Sequence, residues 1–167
     1  MPTVLFVCTG NTCRSPMAAA LFSAFARRTG RDDVRAESAG VAAMVGAPAA
    51  EEARSVVEGV ASLEGHRARQ IDGALIARAD LIVGVTRDHA LRLQRLYPRA
   101  AARIVASADL PGGQDVRDPY LLSHQAYADA RRHLERFFPA LLAELDLRAS
   151  GGLSTRIHGE DGGKSGV

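Results

Sequence analysis

The sequence predicts an α/β protein with a single domain, in which helices cover both faces of a four-stranded parallel sheet. Short runs of apolar, often β-branched residues recur along the chain, and most are followed by a segment with helical character. Strands that alternate with helices pair in parallel, because each helix returns the chain to the edge from which it started. A length of 167 residues with 47% hydrophobic residues suits one domain with a sizeable core.

The predicted elements follow one another in a regular order. Strands are expected at residues 4–7, 34–38, 80–85 and 103–106. Helices are expected from about residue 15 to 29, from about 48, weakly over 72–78, over 87–96, and after residue 118. Ser15 is predicted to cap the first helix, with Pro16 at its first position, and Thr86 is predicted to cap the fourth. Pro139 interrupts the apolar pattern of the final helix, so that helix should kink or split there.

The composition excludes several classes of partner. A formal net charge of +2 gives no reason to expect binding to nucleic acid or to a membrane. No apolar run approaches the ~20 residues of a membrane span, and no cleavable signal pattern precedes Cys8.

Residues 148–167 contain six glycines and show no periodicity. We therefore predict a domain over residues 1–147 and a flexible C-terminal tail over residues 148–167.

A loop suited to binding phosphate connects the first strand to the first helix. Backbone N–H groups between residues 8 and 14 can face inward, and the helix that follows adds partial positive charge. Gly10 and Asn11 tolerate the backbone geometry of a tight loop, and the planar fork of Arg14 can hold two phosphoryl oxygens. The predicted phosphate-binding loop residues beside Arg14 are Thr9, Gly10, Asn11, Thr12, Cys13 and Ser15.

Cys8, at the floor of this loop, is the predicted nucleophile. The loop amides, the helix dipole and Arg14 all stabilise negative charge, so we expect a thiolate, to which the Ser15 hydroxyl can donate a hydrogen bond. The alternative is an inert cysteine buried at the end of a strand. A nucleophilic Cys8 must stay reduced, which predicts a cytoplasmic protein.

Four motifs occur in an order that resembles the low-molecular-weight protein tyrosine phosphatase family. They are VCTGNTCRSP at residues 7–16, SAG at 38–40, GHRARQ at 65–70 and DPY at 118–120. The resemblance covers most of residues 3–147 and implies a flavodoxin-like fold. It also implies a phosphatase that needs no metal or other cofactor and acts on a phosphorylated protein through a phosphocysteine intermediate.

The resemblance assigns the general acid to Asp118, which would protonate the leaving atom and then help to activate water. Pro119 disfavours helical geometry at Asp118 and so holds it in a loop. The alternative for Asp118 is the N-cap of the last helix. Asp115 is the nearest rival for the role of the acid.

The remaining roles are also implied by the family. Asn11, Ser38 and His66 match residues that hold the loop in shape through hydrogen bonds, although His66 could instead be an exposed loop histidine. Tyr120 is expected to line the mouth of the cleft or to pack beneath the loop. Cys13 matches a cysteine that can close a regulatory disulfide with the nucleophile, and a small buried residue at the helix start is its alternative.

The substrate prediction depends on Thr12, where common family members carry an aliphatic residue. Thr-Gly-Asn-Thr between the two cysteines resembles the protein arginine phosphatase branch, and a hydroxyl at position 12 would give a guanidinium leaving group a polar neighbour. Tyr120 instead resembles the tyrosine-directed members. We therefore expect hydrolysis of phosphoarginine, phosphotyrosine or both in proteins, with phosphoarginine favoured and phosphotyrosine specificity as the alternative.

Two functions of other classes share the same loop. A thiol-dependent arsenate reductase of the thioredoxin-coupled type would need further cysteines near the third strand, and residues 80–90 contain none. A reductase that uses small external thiols stays open. A non-enzymatic phosphate-binding module would have no need for Asp118.

Overall fold

Four parallel strands form the centre of the part of the chain that the structure describes. In the computed structural model, which describes residues 1–151, they are β1 (Thr3–Cys8), β2 (Arg35–Gly40), β3 (Leu81–Gly84) and β4 (Ile104–Ala106). They pair in the order β2-β1-β3-β4, and every pairing is parallel. This arrangement confirms the predicted flavodoxin-like α/β fold.

Within residues 1–151, six α-helices cover the sheet. They are α1 (Arg14–Arg28), α2 (Glu51–Val57), α3 (Gly73–Arg78), α4 (Arg87–Leu96), α5 (His124–Arg136) and α6 (Phe138–Ala149). Short 3₁₀ segments cover Pro98–Arg103 and Ser107–Asp109. Among the described residues, none of these helices has the length and apolar character needed to cross a membrane.

Every residue of β1 is buried, because the sheet is packed on both faces. Val4 and Phe6 join a core shared with α1, α2, α5 and α6, whereas Leu5 and Val7 join a second core shared with α3 and α4. Phe22 of α1 packs edge-on against Phe6, with ring centroids 5.7 Å apart. The central strand is thereby fixed from both sides, and its carboxyl end at Cys8 is fixed with it.

The predicted N-cap of the first helix was wrong by two residues. Cys13 is the N-cap of α1, which places Ser15 at the second helical position and Pro16 at the third. The Ser15 hydroxyl does not cap the helix because it contacts Cys8 and Asn11 instead. Pro16 still forfeits no helical hydrogen bond, because the first-turn amides have no partner inside the helix.

The later helices match the predicted pattern more closely. The Thr86 hydroxyl accepts a hydrogen bond from the His89 amide, which confirms Thr86 as the cap of α4. α5 ends at Arg136 and α6 begins at Phe138, with Pro139 in its first turn, so the predicted break is confirmed. α6 continues to Ala149, two residues beyond the predicted domain boundary at 147. The rest of the predicted tail, residues 152–167, lies outside the described residues.

Gly84, the last residue of β3, lets α4 approach the sheet closely. A Cβ atom at this position would lie 2.6 Å from the Ala90 amide nitrogen, a distance that backbone cannot tolerate. The amino end of α4 therefore lies directly against the carboxyl end of β3.

We predict that Gly84→Ala lowers the free energy of unfolding by about 1–3 kcal/mol, because α4 must shift to admit the methyl group. Gly73→Ala is the matched control, because its Cβ would meet nothing within 4 Å. That control should leave stability unchanged or raise it slightly. Urea denaturation of both variants measures the difference, and equal stabilities would contradict the close approach.

Candidate active site

The loop between β1 and α1 turns at Asn11, whose φ of 58° lies in the left-handed region. The turn is therefore at Asn11 and not at Gly10, which also was expected to allow it. The Asn11 amide group donates to Ser15 Oγ at 2.8 Å and to Ser38 Oγ at 3.0 Å. Its Oδ1 accepts from the Arg69 amide at 2.9 Å. These buried contacts hold a backbone conformation that asparagine otherwise adopts at a cost.

His66 contacts the same residue from outside the loop. Its Nε2 lies 2.8 Å from the Asn11 carbonyl oxygen and donates to it, because a carbonyl can only accept. The imidazole is partly buried rather than free in solvent. The structure thus brings Asn11, Ser38 and His66 together, as the family resemblance implied.

Cys8 lies at the end of β1 with 2% of its surface exposed. Its Sγ is 2.9 Å from Ser15 Oγ. Ser15 Oγ accepts a hydrogen bond from Asn11, and its own hydrogen can be directed to the Ala39 carbonyl oxygen at 3.3 Å or to the sulfur when the sulfur carries negative charge. Ser15 is therefore placed to stabilise a negatively charged sulfur.

Arg14 joins the loop to the segment that carries Asp118. Its side chain is almost completely buried, and Nη1 donates to the Val116 carbonyl oxygen at 2.9 Å. Nη2 lies 3.6 Å from Asp118 Oδ2. The Val116 amide in turn donates to the Val85 carbonyl oxygen, just beyond β3. The segment that carries Asp118 is therefore held beside the cleft by two hydrogen bonds of Val116, one from Arg14 and one to the end of β3.

A cleft of about 200 Å³ opens above the loop. The predicted site residues that line it are Cys8, Thr9, Gly10, Thr12, Cys13, Arg14, Asp118 and Tyr120. Ala42 and Met44, which were not predicted, complete the lining. Tyr120 is 44% exposed, so it lies at the mouth and not beneath the loop. Asn11, Ser15, Ser38 and His66 lie behind the lining and support it.

The two candidate acids occupy different places. Asp118 lines the cleft, and its side chain is 54% exposed. The N-cap of α5 is Ser123, so the capping alternative for Asp118 is wrong. Asp115 accepts a hydrogen bond from the Arg87 amide at the start of α4 and does not line the cleft.

Cys13 is a buried free thiol, as is Cys8. Its Sγ lies 3.4 Å from the Tyr127 hydroxyl of α5 and 3.7 Å from Thr12 Oγ1. Burial raises the pKa of the Cys13 thiol, and burial together with the contact to Cys13 raises the pKa of Tyr127. The disulfide with Cys8 stays a prediction.

Two further contributors to the site were not predicted. Gly40, at the end of β2, leaves room for the loop: a Cβ there would lie 2.4 Å from the Thr9 carbonyl oxygen. The glycine of the SAG motif was the available signal. His89 is the second contributor. Its Nε2 lies 2.9 Å from Thr9 Oγ1, and no local pattern indicates this contact because it spans 80 positions of sequence.

Comparison with known proteins identifies the family of this chain. The family described as low molecular weight phosphotyrosine protein phosphatase matches residues 3–150. Low molecular weight protein-tyrosine phosphatase A from Mycobacterium bovis is 39% identical over 151 residues, which cover 87% of this chain and 92% of the relative. The protein-arginine-phosphatase of Bacillus subtilis is 33% identical over 144 residues, which cover 85% and 95% of the two chains.

A solved structure of the YwlE arginine phosphatase, a mutant with a phosphorylated active site serine, superposes with a TM-score of 0.79. It is 33% identical, and the match covers 86% of this chain and 95% of that one. The chain therefore belongs to the low molecular weight phosphotyrosine protein phosphatase family, whose members are enzymes that hydrolyse phosphate esters.

Proposed function

We propose that this enzyme removes phosphate from proteins with Cys8 as its nucleophile and that it acts on phosphoarginine, phosphotyrosine or both. The observation that carries the proposal is one cleft lined by a cysteine, an arginine and a carboxylate. Cys8 Sγ is held at 2.9 Å from Ser15 Oγ, and Arg14 lies 3.6 Å from Asp118. A nucleophile, an anion-binding cation and a proton donor are thereby available to one bound phosphoryl group.

The reaction has two steps. The Cys8 thiolate attacks phosphorus and forms an S–P bond while the bond to the leaving oxygen or nitrogen breaks, and Asp118 gives that atom its proton. Water then attacks the phosphocysteine, loses a proton to the Asp118 carboxylate and releases phosphate with the thiolate restored. The phosphorylated active-site serine of the YwlE mutant supports a covalent phosphoenzyme.

The loop supplies the stabilisation of charge in both steps. Arg14 can bind two equatorial oxygens with its planar fork, and the amino end of α1 adds the positive end of its dipole. Because Cys8 must be reduced for attack, we propose that the enzyme acts in a reducing compartment such as the cytoplasm.

We favour phosphoarginine as the substrate because of Thr12. This residue lines the cleft and brings a hydroxyl where a guanidinium leaving group would need polar neighbours, and Asp118 lines the same cleft, where it would protonate the leaving nitrogen. The matching relatives include both a tyrosine phosphatase and an arginine phosphatase. A preference for phosphotyrosine, with Tyr120 against the phenol ring, is the alternative.

We expect Cys8→Ser to abolish turnover of p-nitrophenyl phosphate, by more than about 10³-fold, because a serine hydroxyl is a far weaker nucleophile than a thiolate. Binding of inorganic phosphate, measured by calorimetry, should persist because Arg14 and the loop are intact. Substantial turnover by the variant would contradict the cysteine mechanism.

Asp118→Asn should lower kcat/KM by about 10²–10⁴-fold, because an amide cannot protonate the leaving atom. The loss should be larger for phenyl phosphate than for p-nitrophenyl phosphate, whose leaving group needs less protonation. Asp115→Asn is the control, since Asp115 contacts the Arg87 amide outside the cleft. An equal loss in both variants, or no dependence on the leaving group, would rule out Asp118 as the acid.

The third experiment compares phosphoarginine and phosphotyrosine peptides. If the Thr12 hydroxyl sets the choice, Thr12→Ile should shift the ratio of kcat/KM toward phosphotyrosine by about 10-fold. Thr12→Val separates polarity from size, because valine keeps the shape of threonine and lacks only the hydroxyl. An unchanged ratio in both variants would show that Thr12 does not select the substrate.

A further inference from the structure

The imidazole of His89 lies between two threonine hydroxyls, one of which belongs to the phosphate loop. His89 is the third residue of α4 and is 8% exposed. Its Nδ1 lies 2.7 Å from Thr86 Oγ1, and its Nε2 lies 2.9 Å from Thr9 Oγ1. The proposed reaction gives this buried ring no task.

The sheet topology explains how residues so distant in sequence meet. β1 and β3 are parallel neighbours, with Val7 paired to Gly84. The segments that follow the two strands therefore leave the same edge of the sheet side by side. Gly84 admits the amino end of α4 against the sheet, and the Thr86 cap fixes the first turn of that helix. His89, the third residue of α4, thereby faces Thr9, the first loop residue after Cys8.

Thr9 is held from two directions. Its carbonyl oxygen accepts a hydrogen bond from the Ala42 amide at 3.0 Å, and its hydroxyl is bound by His89 at 2.9 Å. Thr9 directly follows Cys8 and lines the cleft. The bond from Ala42 orients the peptide that follows Thr9, and the contact with His89 anchors the Thr9 side chain.

We propose that His89 is a positioning residue for catalysis, which acts through the Thr9 hydroxyl to hold the start of the phosphate loop around the phosphoryl group. The role rests on the proposed reaction at Cys8. Preorganised loop donors stabilise the transition state only while their direction is fixed, so loosening Thr9 should weaken both phosphate binding and turnover.

The charge state of the ring suits this role. Burial, and then the positive charge of Arg14, lower the pKa of His89 to about 4. The imidazole is therefore neutral near pH 7, and it offers one nitrogen as a donor and the other as an acceptor to the two threonine hydroxyls.

The test compares two amides at position 89. A glutamine places its terminal amide near the position of Nε2 and can still reach Thr9, whereas an asparagine reaches only as far as Nδ1 and Thr86. With p-nitrophenyl phosphate, His89→Gln should retain kcat/KM within about threefold, and His89→Asn should lose about tenfold. Equal activities of the two variants would overturn the role, because a ring needed only for packing or for Thr86 would not favour glutamine.

A double-mutant cycle with Thr9→Val locates the effect. If His89 acts through Thr9, Thr9→Val alone should lose about three- to tenfold, and adding His89→Asn should cost little more. Losses that multiply, or full activity of Thr9→Val, would overturn the proposal. Thr9→Val also keeps the test decisive should His89→Asn fail to fold, as shown by thermal denaturation.

Calorimetric affinity for inorganic phosphate gives a readout that needs no turnover. It should follow the same order, with wild type and His89→Gln above His89→Asn and Thr9→Val. Failure of the proposed reaction would appear as an inactive wild-type enzyme, whereas failure of this role would appear as equal phosphate affinities in all four proteins.

Discussion

The site depends on one buried asparagine held in a left-handed turn. Both amide hydrogens of the Asn11 side chain and its oxygen are hydrogen-bonded, to Ser15, Ser38 and the Arg69 amide. A non-glycine residue in this region costs roughly 1–2 kcal/mol, so the turn persists only because these contacts favour it over the extended alternatives. The same contacts orient Ser15 so that its hydroxyl faces the sulfur of Cys8.

Two glycines bring the surroundings close enough for this network to form. Gly40 admits the Thr9 carbonyl oxygen beside β2, and Gly84 admits α4 beside β3. Both lie at the carboxyl edge of the sheet, on either side of β1. The loop is therefore enclosed by backbone on both flanks. Its shape is a property of the sheet edge as much as of its own sequence.

The sequence was informative where the determinants are local. The apolar run of β1, the small polar loop and the periodic α1 placed Cys8, Arg14 and Asn11 correctly because each acts through its neighbours in the chain. The predicted cap of α1 was wrong because the Ser15 hydroxyl contacts Cys8 instead of a backbone amide of the helix.

Longer-range features were harder to predict. Asp118 lines the cleft and Asp115 does not, because residues 110–118 cross the carboxyl edge of the sheet in one particular path. Hydrogen bonds of Val116 to Val85 and Arg14 set that path. The contact of His89 with Thr9 joins residues that only the strand order brings together. No period or spacing in one sequence carries that information.

The bond from Arg14 to the Val116 carbonyl oxygen has a consequence for how the site tolerates change. A guanidinium has five N–H donors in a fixed plane, so one can hold the backbone while others face a bound oxyanion. A lysine ammonium is a compact point charge that could serve one of these partners but could not span both. Arginine is thus required here by shape as well as by charge. Lysine at this position would lose the hydrogen bond that joins the loop to the segment of Val116 and Asp118.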